Sequence, residues 1–423
     1  MAKSLFLEAV EVTQNVLHDY VFKCESRSKP TYFTREGRNK LNFISTILFM
    51  LNFVKKSFQI ELDDYFKLLG NRTESISKQA FSEARKKIKP EAFIKLFDTI
   101  VDWYYKENPY KKFMGFRIFA IDASILEINN SIRLRDAFGV SKGSSLELAR
   151  AMASCIYDTE NNLIVKALIT KCTDGERSVA IKLMNSFKDH LNNNDLFLFD
   201  RGYPSLDFFA YLIELNVKFM IRTPVNYYKS SIKSSVPDQI IELKRKGSVM
   251  RLRAIRFTLP SGEDELLITN IEDETFGIQD FKTLYFKRWR IETKYDELKN
   301  KLQLQKFTGD TPLSVEQDFY ATMFLANMAS LVKQEADEMI AKEQEGKDLK
   351  YEYTANANVL TGKLKANLVR IILEESPRRR KKLYKQMLDE IKRNRTPIRP
   401  GRSFKRTKGL RANRNGLVQK SAL

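Results

Sequence analysis

The run of elements between residues 116 and 222 constrains the fold more than any other part of this chain. Residues 116–122 are apolar up to Asp122 and predict a strand. Residues 146–157 and 163–171 predict two more, separated by a polar turn at 158–162. A helix is expected over 176–191, then a buried strand at 196–200 ending in Asp200. A second helix, capped by Ser205, spans 205–215 and leads to a strand at 217–222. Consecutive strands suit an antiparallel meander, whereas helix-linked strands suit parallel pairing. The predicted class is therefore α/β, a mixed sheet with flanking helices.

In a parallel sheet the carboxyl ends of neighbouring strands share one edge, where ligands bind. Asp122 and Asp200 are both expected there. A third acid comes from the segment Tyr285-x2-Arg288-x3-Glu292-x6-Lys299. At 100° per residue these four side chains fall within an arc of roughly 60° on one helix. Leu284, Ile291, Leu298 and Leu302 form an apolar stripe beside it that would seat the helix on a core.

Close carboxylates repel unless a cation joins them. Mg²⁺ takes oxygen ligands, typically a few carboxylates together with substrate phosphate. Two such ions can serve both the attacking and the leaving oxygen of a phosphodiester, so no histidine base is required. Taken singly, a strand-end Asp caps a turn and a helical Glu pairs with Arg288. Taken together, Asp122, Asp200 and Glu292 point to a metal site. Glu127, Asp174 and Glu176 are further carboxylates in reach, with 174–176 read as a helix-opening cap.

Residues 1–112 predict a helical domain. Apolar residues recur at helical spacing from 43 to 53, Gly70 ends a helix, and a turn follows at 71–73. Residues 77–88 then form a short basic helix stopped by Pro90. A helix-turn-helix would present such a helix to DNA, making Lys78, Arg85 and Lys86 candidate contacts. A plain basic surface helix is the other reading. Residues 224–275 look β-rich, with a hairpin formed by 250–257 and 265–270. Helical pattern resumes after 300 and runs to about 373.

The net charge is +20, which favours a polyanionic partner. Most of the excess lies in 376–423, read as a basic tail that either clamps phosphates or solubilises the chain. Cys24, Cys155 and Cys172 are scattered, which argues for a reducing compartment. His18 and His190 are too few for a zinc site. No leader and no apolar run of membrane length is expected, so no membrane partner is either. A phosphate-binding glycine loop and a zinc-protease helix are both missing. Asp122-Ala123-Ser124 lacks the second acid of an aspartyl-phosphate phosphatase, and 139–145 reads as a Gly/Ser-rich loop.

These motifs resemble those of the IS4-type transposases of the DDE superfamily. Tyr285-x2-Arg288-x3-Glu292-x6-Lys299 is similar to the family's signature helix, residues 199–203 to its second-acid motif, and residues 120–124 to its first. Residues 33–35 and the basic helix from Ser77 resemble its DNA-binding entry. The resemblance implies an RNase H-like catalytic core over 113–330, with a β-rich insertion at about 224–275. It also implies a DNA-binding domain over 1–112 and a C-terminal helical region and basic tail over 331–423. Asp122, Asp200 and Glu292 would bind Mg²⁺, with Mn²⁺ able to substitute. Tyr285, Arg288 and Lys299 would contact the DNA backbone. An aromatic of the insertion, among Tyr227, Tyr228 and Phe257, would stack on a flipped base. The implied activity is cut-and-paste transposition by a homodimer on double-stranded DNA, both terminal inverted repeats and target, in a bacterial cytoplasm at the nucleoid. A non-catalytic DNA-binding descendant and a nuclease that cuts without joining are the alternatives.

Overall fold

The computed structural model describes residues 4–34, 41–52, 57–70, 76–140, 147–233, 235–259 and 261–399. Arg35, the turn at 71–73, most of the Gly/Ser-rich loop, Pro260 of the hairpin turn and the tail from 400 onward lie outside the described residues. The chain forms two compact units. One comprises Met1–Trp103, Leu298–Thr308 and Gln317–Leu423, and the other Tyr104–Glu297 and Gly309–Glu316. The C-terminal region thus clusters with the N-terminal helices, where the sequence suggested a separate third segment.

The described residues of the second unit form an eight-stranded sheet of order β3-β2-β1-β4-β5-β8-β7-β6. The strands are β1 Arg117–Glu127, β2 Arg150–Asp158, β3 Leu163–Lys171, β4 Asp195–Phe199, β5 Lys218–Thr223, β6 Asp238–Arg245, β7 Ser248–Thr258 and β8 Asp264–Thr269. β1, β2 and β3 make an antiparallel meander, while β1, β4 and β5 run parallel. This is the order of an RNase H-like core. β4 is buried along its whole length, as a parallel strand covered on both faces should be. Phe119 packs on Phe187 and Phe197 to fill the core beneath it.

β1 runs past Asp122 to Glu127, further than its apolar run suggested. The extension is held by β2, which pairs with β1 antiparallel from Phe119 to Glu127. The β1–β4 pairing ends earlier, at Ala120 opposite Leu198. Carried two residues on, that parallel register sets Asp122 level with Asp200. A short helix, Ile132–Phe138, was not read from sequence; Ser131 caps its start and Gly139, at φ 90°, ends it.

The β-rich insertion extends the same sheet. β8 pairs antiparallel with β5, then β7 with β8 and β6 with β7. Lys246 and Gly247, both at positive φ, close the β6–β7 hairpin with the twist that two adjacent strands favour. β6 escaped the sequence reading because it is an edge strand. Among its residues only Ile241 and Leu243 are buried, and Glu242, Lys244 and Arg245 interrupt the apolar pattern.

The signature segment is not one continuous helix. Ile278–Phe286 and Trp289–Asp296 are separate helices joined at Lys287 and Arg288. Tight i−3 bonds, such as Arg288 N–H to the Tyr285 carbonyl at 3.0 Å, mark the junction. A π-helical turn, Glu297–Lys301, follows and carries Lys299. The single stripe expected from uniform helical phase is therefore interrupted twice.

The regular elements among the described residues of the first unit are helices and one two-stranded pair, β9 Tyr353–Ala355 with β10 Arg395–Pro397. Phe49 sits edge-on to Phe58, Tyr65 and Phe81 and centres one of its cores. Arg85, expected to face DNA, is instead 6% exposed. It donates to Asp318 at 2.9 Å, Gln317 at 2.9 Å and Thr308 at 2.7 Å, so it serves packing. Its place in the basic helix follows phase, since Phe81, Ala84 and Arg85 lie on the inward face. Lys78 and Lys86 are exposed, Lys86 pairing with Glu83. Part of the expected tail is also folded. Pro377–Arg393 is an amphipathic helix that buries Arg380, Tyr384, Met387, Leu388 and Ile391. Among the described residues, no helix is long and apolar enough to cross a membrane.

Candidate active site

Strand β1 presents Asp122, and the turn after β4 presents Asp200. Ala123 N–H donates to Asp122 Oδ1 at 2.9 Å, and Gly202 N–H to Asp200 Oδ1 at 2.8 Å. Each bond fixes a carboxylate against its own backbone. Arg201 and Arg222 both pair with the buried Glu265, which anchors the turn from the side of β5 and β8.

Glu292 comes from the helix Trp289–Asp296. Arg288 Nη2 donates to Glu292 Oε1 at 2.7 Å, and Arg288 Nη1 lies 3.6 Å from Asp122 Oδ2. One guanidinium thus bridges the first and third acids. It is 3% exposed, and its Nε and Nη1 have no hydrogen-bond partner. The Tyr295 hydroxyl, three residues on from Glu292, reaches the Asp122 carbonyl at 2.9 Å and the Ala153 carbonyl at 3.0 Å. These contacts tie the helix to the strand that carries Asp122.

Glu176, in the first turn of the helix Glu176–Ser186, approaches from another side. A Cβ added at Gly202 would stand 2.9 Å from Glu176 Oε2 and 3.2 Å from Asp200 Oδ1. Glu176 and Asp200 therefore lie close to one another on either side of Gly202. Burial pushes Asp122 up to about 7; the charges of Asp200 and Glu176 add to the rise, while Ala123 N–H and Arg288 oppose it. Burial also raises Glu176, helped by Asp200. The Tyr203 hydroxyl is held well above its ordinary value by burial and by the same three acids.

The remaining expected residues divide. Tyr285 is buried; its hydroxyl faces the Phe199 carbonyl at 3.5 Å, and burial pushes it up to about 12. Tyr285 and Arg288 thus serve the interior of the unit in this state, not an open DNA surface. Lys299 is half-buried on its π turn, within the first unit. Glu127 pairs with Arg150. Phe257 belongs to the core, Tyr228 packs on Phe209, and Tyr227 is exposed. Tyr295 was missed by the sequence reading, although its i+3 spacing from Glu292 on an otherwise polar helix was a usable signal.

Among the described residues, no three carboxylates close around a common point with the side chains as they stand. Arg288 occupies the position between Asp122 and Glu292 that a cation would take. The donor set nevertheless fits a hard divalent ion. It consists of carboxylate oxygens, with one acid on β1, another just after its parallel neighbour β4, and a like-charge repulsion that a metal would relieve.

The family model described as Transposase DDE domain matches residues 114–328. The transposase InsG for insertion sequence element IS4, from Escherichia coli (strain K12), is 23% identical over 278 residues. That similarity spans 62% of this chain and 62% of the relative, less than two thirds of its length. The piggyBac transposase synaptic complex with hairpin DNA aligns over 95% of this chain and 88% of its own, at 10% identity and a TM-score of 0.48. The matched family domain spans the whole sheet and the signature helices, and the chain belongs to the DDE transposases, of the IS4 type.

Proposed function

We propose that the protein binds the terminal inverted repeats of a mobile element, cuts the DNA there and joins the freed ends to a target. What supports this reading is the β1–β4 pairing, which ends two residues short of both Asp122 and Asp200, together with the link from Glu292 to Asp122 through Arg288. DDE transposases generally use divalent metal ions, and Asp122, Asp200 and Glu292 would hold them here. Mg²⁺ is the expected ion, with Mn²⁺ as substitute; when bound, it neutralises charge on the attacking and leaving oxygens of an in-line displacement.

The chain's own residues supply the rest. Glu292 gives up Arg288 to complete the ligand set. Arg288, then free of Glu292, offers its guanidinium to a phosphate oxygen of the scissile strand. Tyr285 supports that guanidinium from below, and Tyr295 keeps Asp122 in line with the helix. Lys299, in the first unit, would contact the DNA backbone. Lys78 and Lys86 are the exposed members of the basic helix and would meet the repeat's backbone. Water attacks first, and the released 3′-hydroxyl then attacks target DNA with the same geometry. Synapsis of two ends calls for a homodimer.

The test uses the full chain, a labelled inverted-repeat duplex and Mg²⁺, with Glu292→Gln alongside. Cleavage and strand transfer by the wild type, both lost in the variant, are expected. Binding without cutting would identify a non-catalytic descendant, and cutting without transfer a nuclease.

A further inference from the structure

We infer that Glu176 is a fourth carboxylate of the centre, sharing a divalent cation with Asp200. This rests on reading the site as a metal centre and adds a ligand to it. The first support is geometric. Glu176 Oε2 and Asp200 Oδ1 both lie within 3.2 Å of the point where a Gly202 side chain would begin. Gly202 has no positive φ to require glycine, so what it provides is room between two acids.

A capping role does not account for Glu176. The helix it opens has Gly175 at its N-cap with no side-chain cap bond. Among the described residues, the Glu176 carboxylate accepts no hydrogen bond and joins no salt bridge. A negative charge in the first helical turn is favourable in itself. The helix dipole does not explain why that charge leans towards a second carboxylate, which repels it.

The second support comes from the buried cation beside the acids. Arg288 is 3% exposed, and among the described residues its Nε and Nη1 donate no hydrogen bond, Nη1 lying 3.6 Å from Asp122 Oδ2. A buried guanidinium with spare donors beside carboxylates suits a phosphate lying across the cations. Mg²⁺ keeps several waters and is held by one or two carboxylates. A pair of ions therefore uses four acids comfortably, and Glu176 is the one the triad lacks.

Mn²⁺ binding to the full-length protein, followed by the loss of the free-ion paramagnetic resonance signal, tests this without reference to activity. Glu176→Gln is expected to weaken one Mn²⁺ site by about tenfold or more, with an unchanged circular dichroism melt. Gly202→Ala should weaken the same site by forcing the two oxygens apart. Asp200→Asn should lose it altogether. If Glu176→Gln titrates like the wild type while Asp200→Asn loses an ion, Glu176 is no ligand and the triad alone stands. If the wild type takes up no Mn²⁺, the metal centre itself is wrong, and this inference falls with it.

Discussion

Arg288 holds Glu292 at 2.7 Å across one turn, from the junction where the two signature helices meet. The guanidinium is thus the counter-ion of the metal-free site. Removing it takes away a buried cation that Glu292 and Asp122 share. Arg288→Ala should lower stability in EDTA by about 1–3 kcal/mol, less than a fully buried pair because Glu292 stays partly exposed. Its stabilisation by Mn²⁺ should exceed that of the wild type. Urea melts with and without Mn²⁺ measure both. An Mn²⁺ effect smaller than in the wild type would show that Arg288 does not compete with the ion.

Asp122 sets a pH dependence. Its folded value, about 7, lies above its ordinary carboxylate value. Between roughly pH 4 and 7 the folded state retains a proton that the unfolded chain has released, so stability falls as pH rises through that window. The metal-free protein should lose about 3 kcal/mol between pH 5 and pH 8, and Asp122→Asn should remove most of that slope. Equal denaturation midpoints at the two pH values would rule this out.

Tyr295→Phe removes one hydroxyl and leaves the Asp122 and Ala153 carbonyls without it. A stability loss of about 1–2 kcal/mol is expected. Cleavage should fall further than stability alone dictates, because Asp122 loses its tie to the helix that carries Glu292. Unchanged single-turnover cleavage would confine Tyr295 to packing.

Two sets of cations should separate cleanly. Arg85→Ala should destabilise the protein by about 3–5 kcal/mol by stranding Asp318, without changing the salt dependence of DNA binding once folded. A variant with Arg378, Lys382 and Lys385 changed to Ala alters only the exposed face of the helix Pro377–Arg393. It should fold normally and reduce the slope of log affinity against log salt by about 2–3. The opposite pattern would reverse the two assignments.

The strands and their acids were legible because each core strand is a short apolar run broken by a charged residue. Period and composition alone placed β4 and Asp200. Sequence could not reveal that β1 continues past Asp122, since that extension depends on a partner strand. The junction at Arg288 and the π turn were hidden because residue spacing assumes a uniform helix. Arg85 was misread because charge suggests exposure, whereas Asp318, more than two hundred positions away, neutralises it. Glu176 reads as a cap in the sequence because its proximity to Asp200 arises only once Gly202 folds between them.

β8 occupies the flank of β5 that a five-stranded core would leave open. Excising residues 224–275 would therefore do more than remove an appendage. It would bare a row of unmet amides and carbonyls on a buried parallel strand, a template for self-association. Substitutions at the β6–β7 tip should cost little, because Lys246 and Gly247 are already exposed to solvent. β8 is under a different constraint, because solubility depends on it whatever the rest of the module recognises.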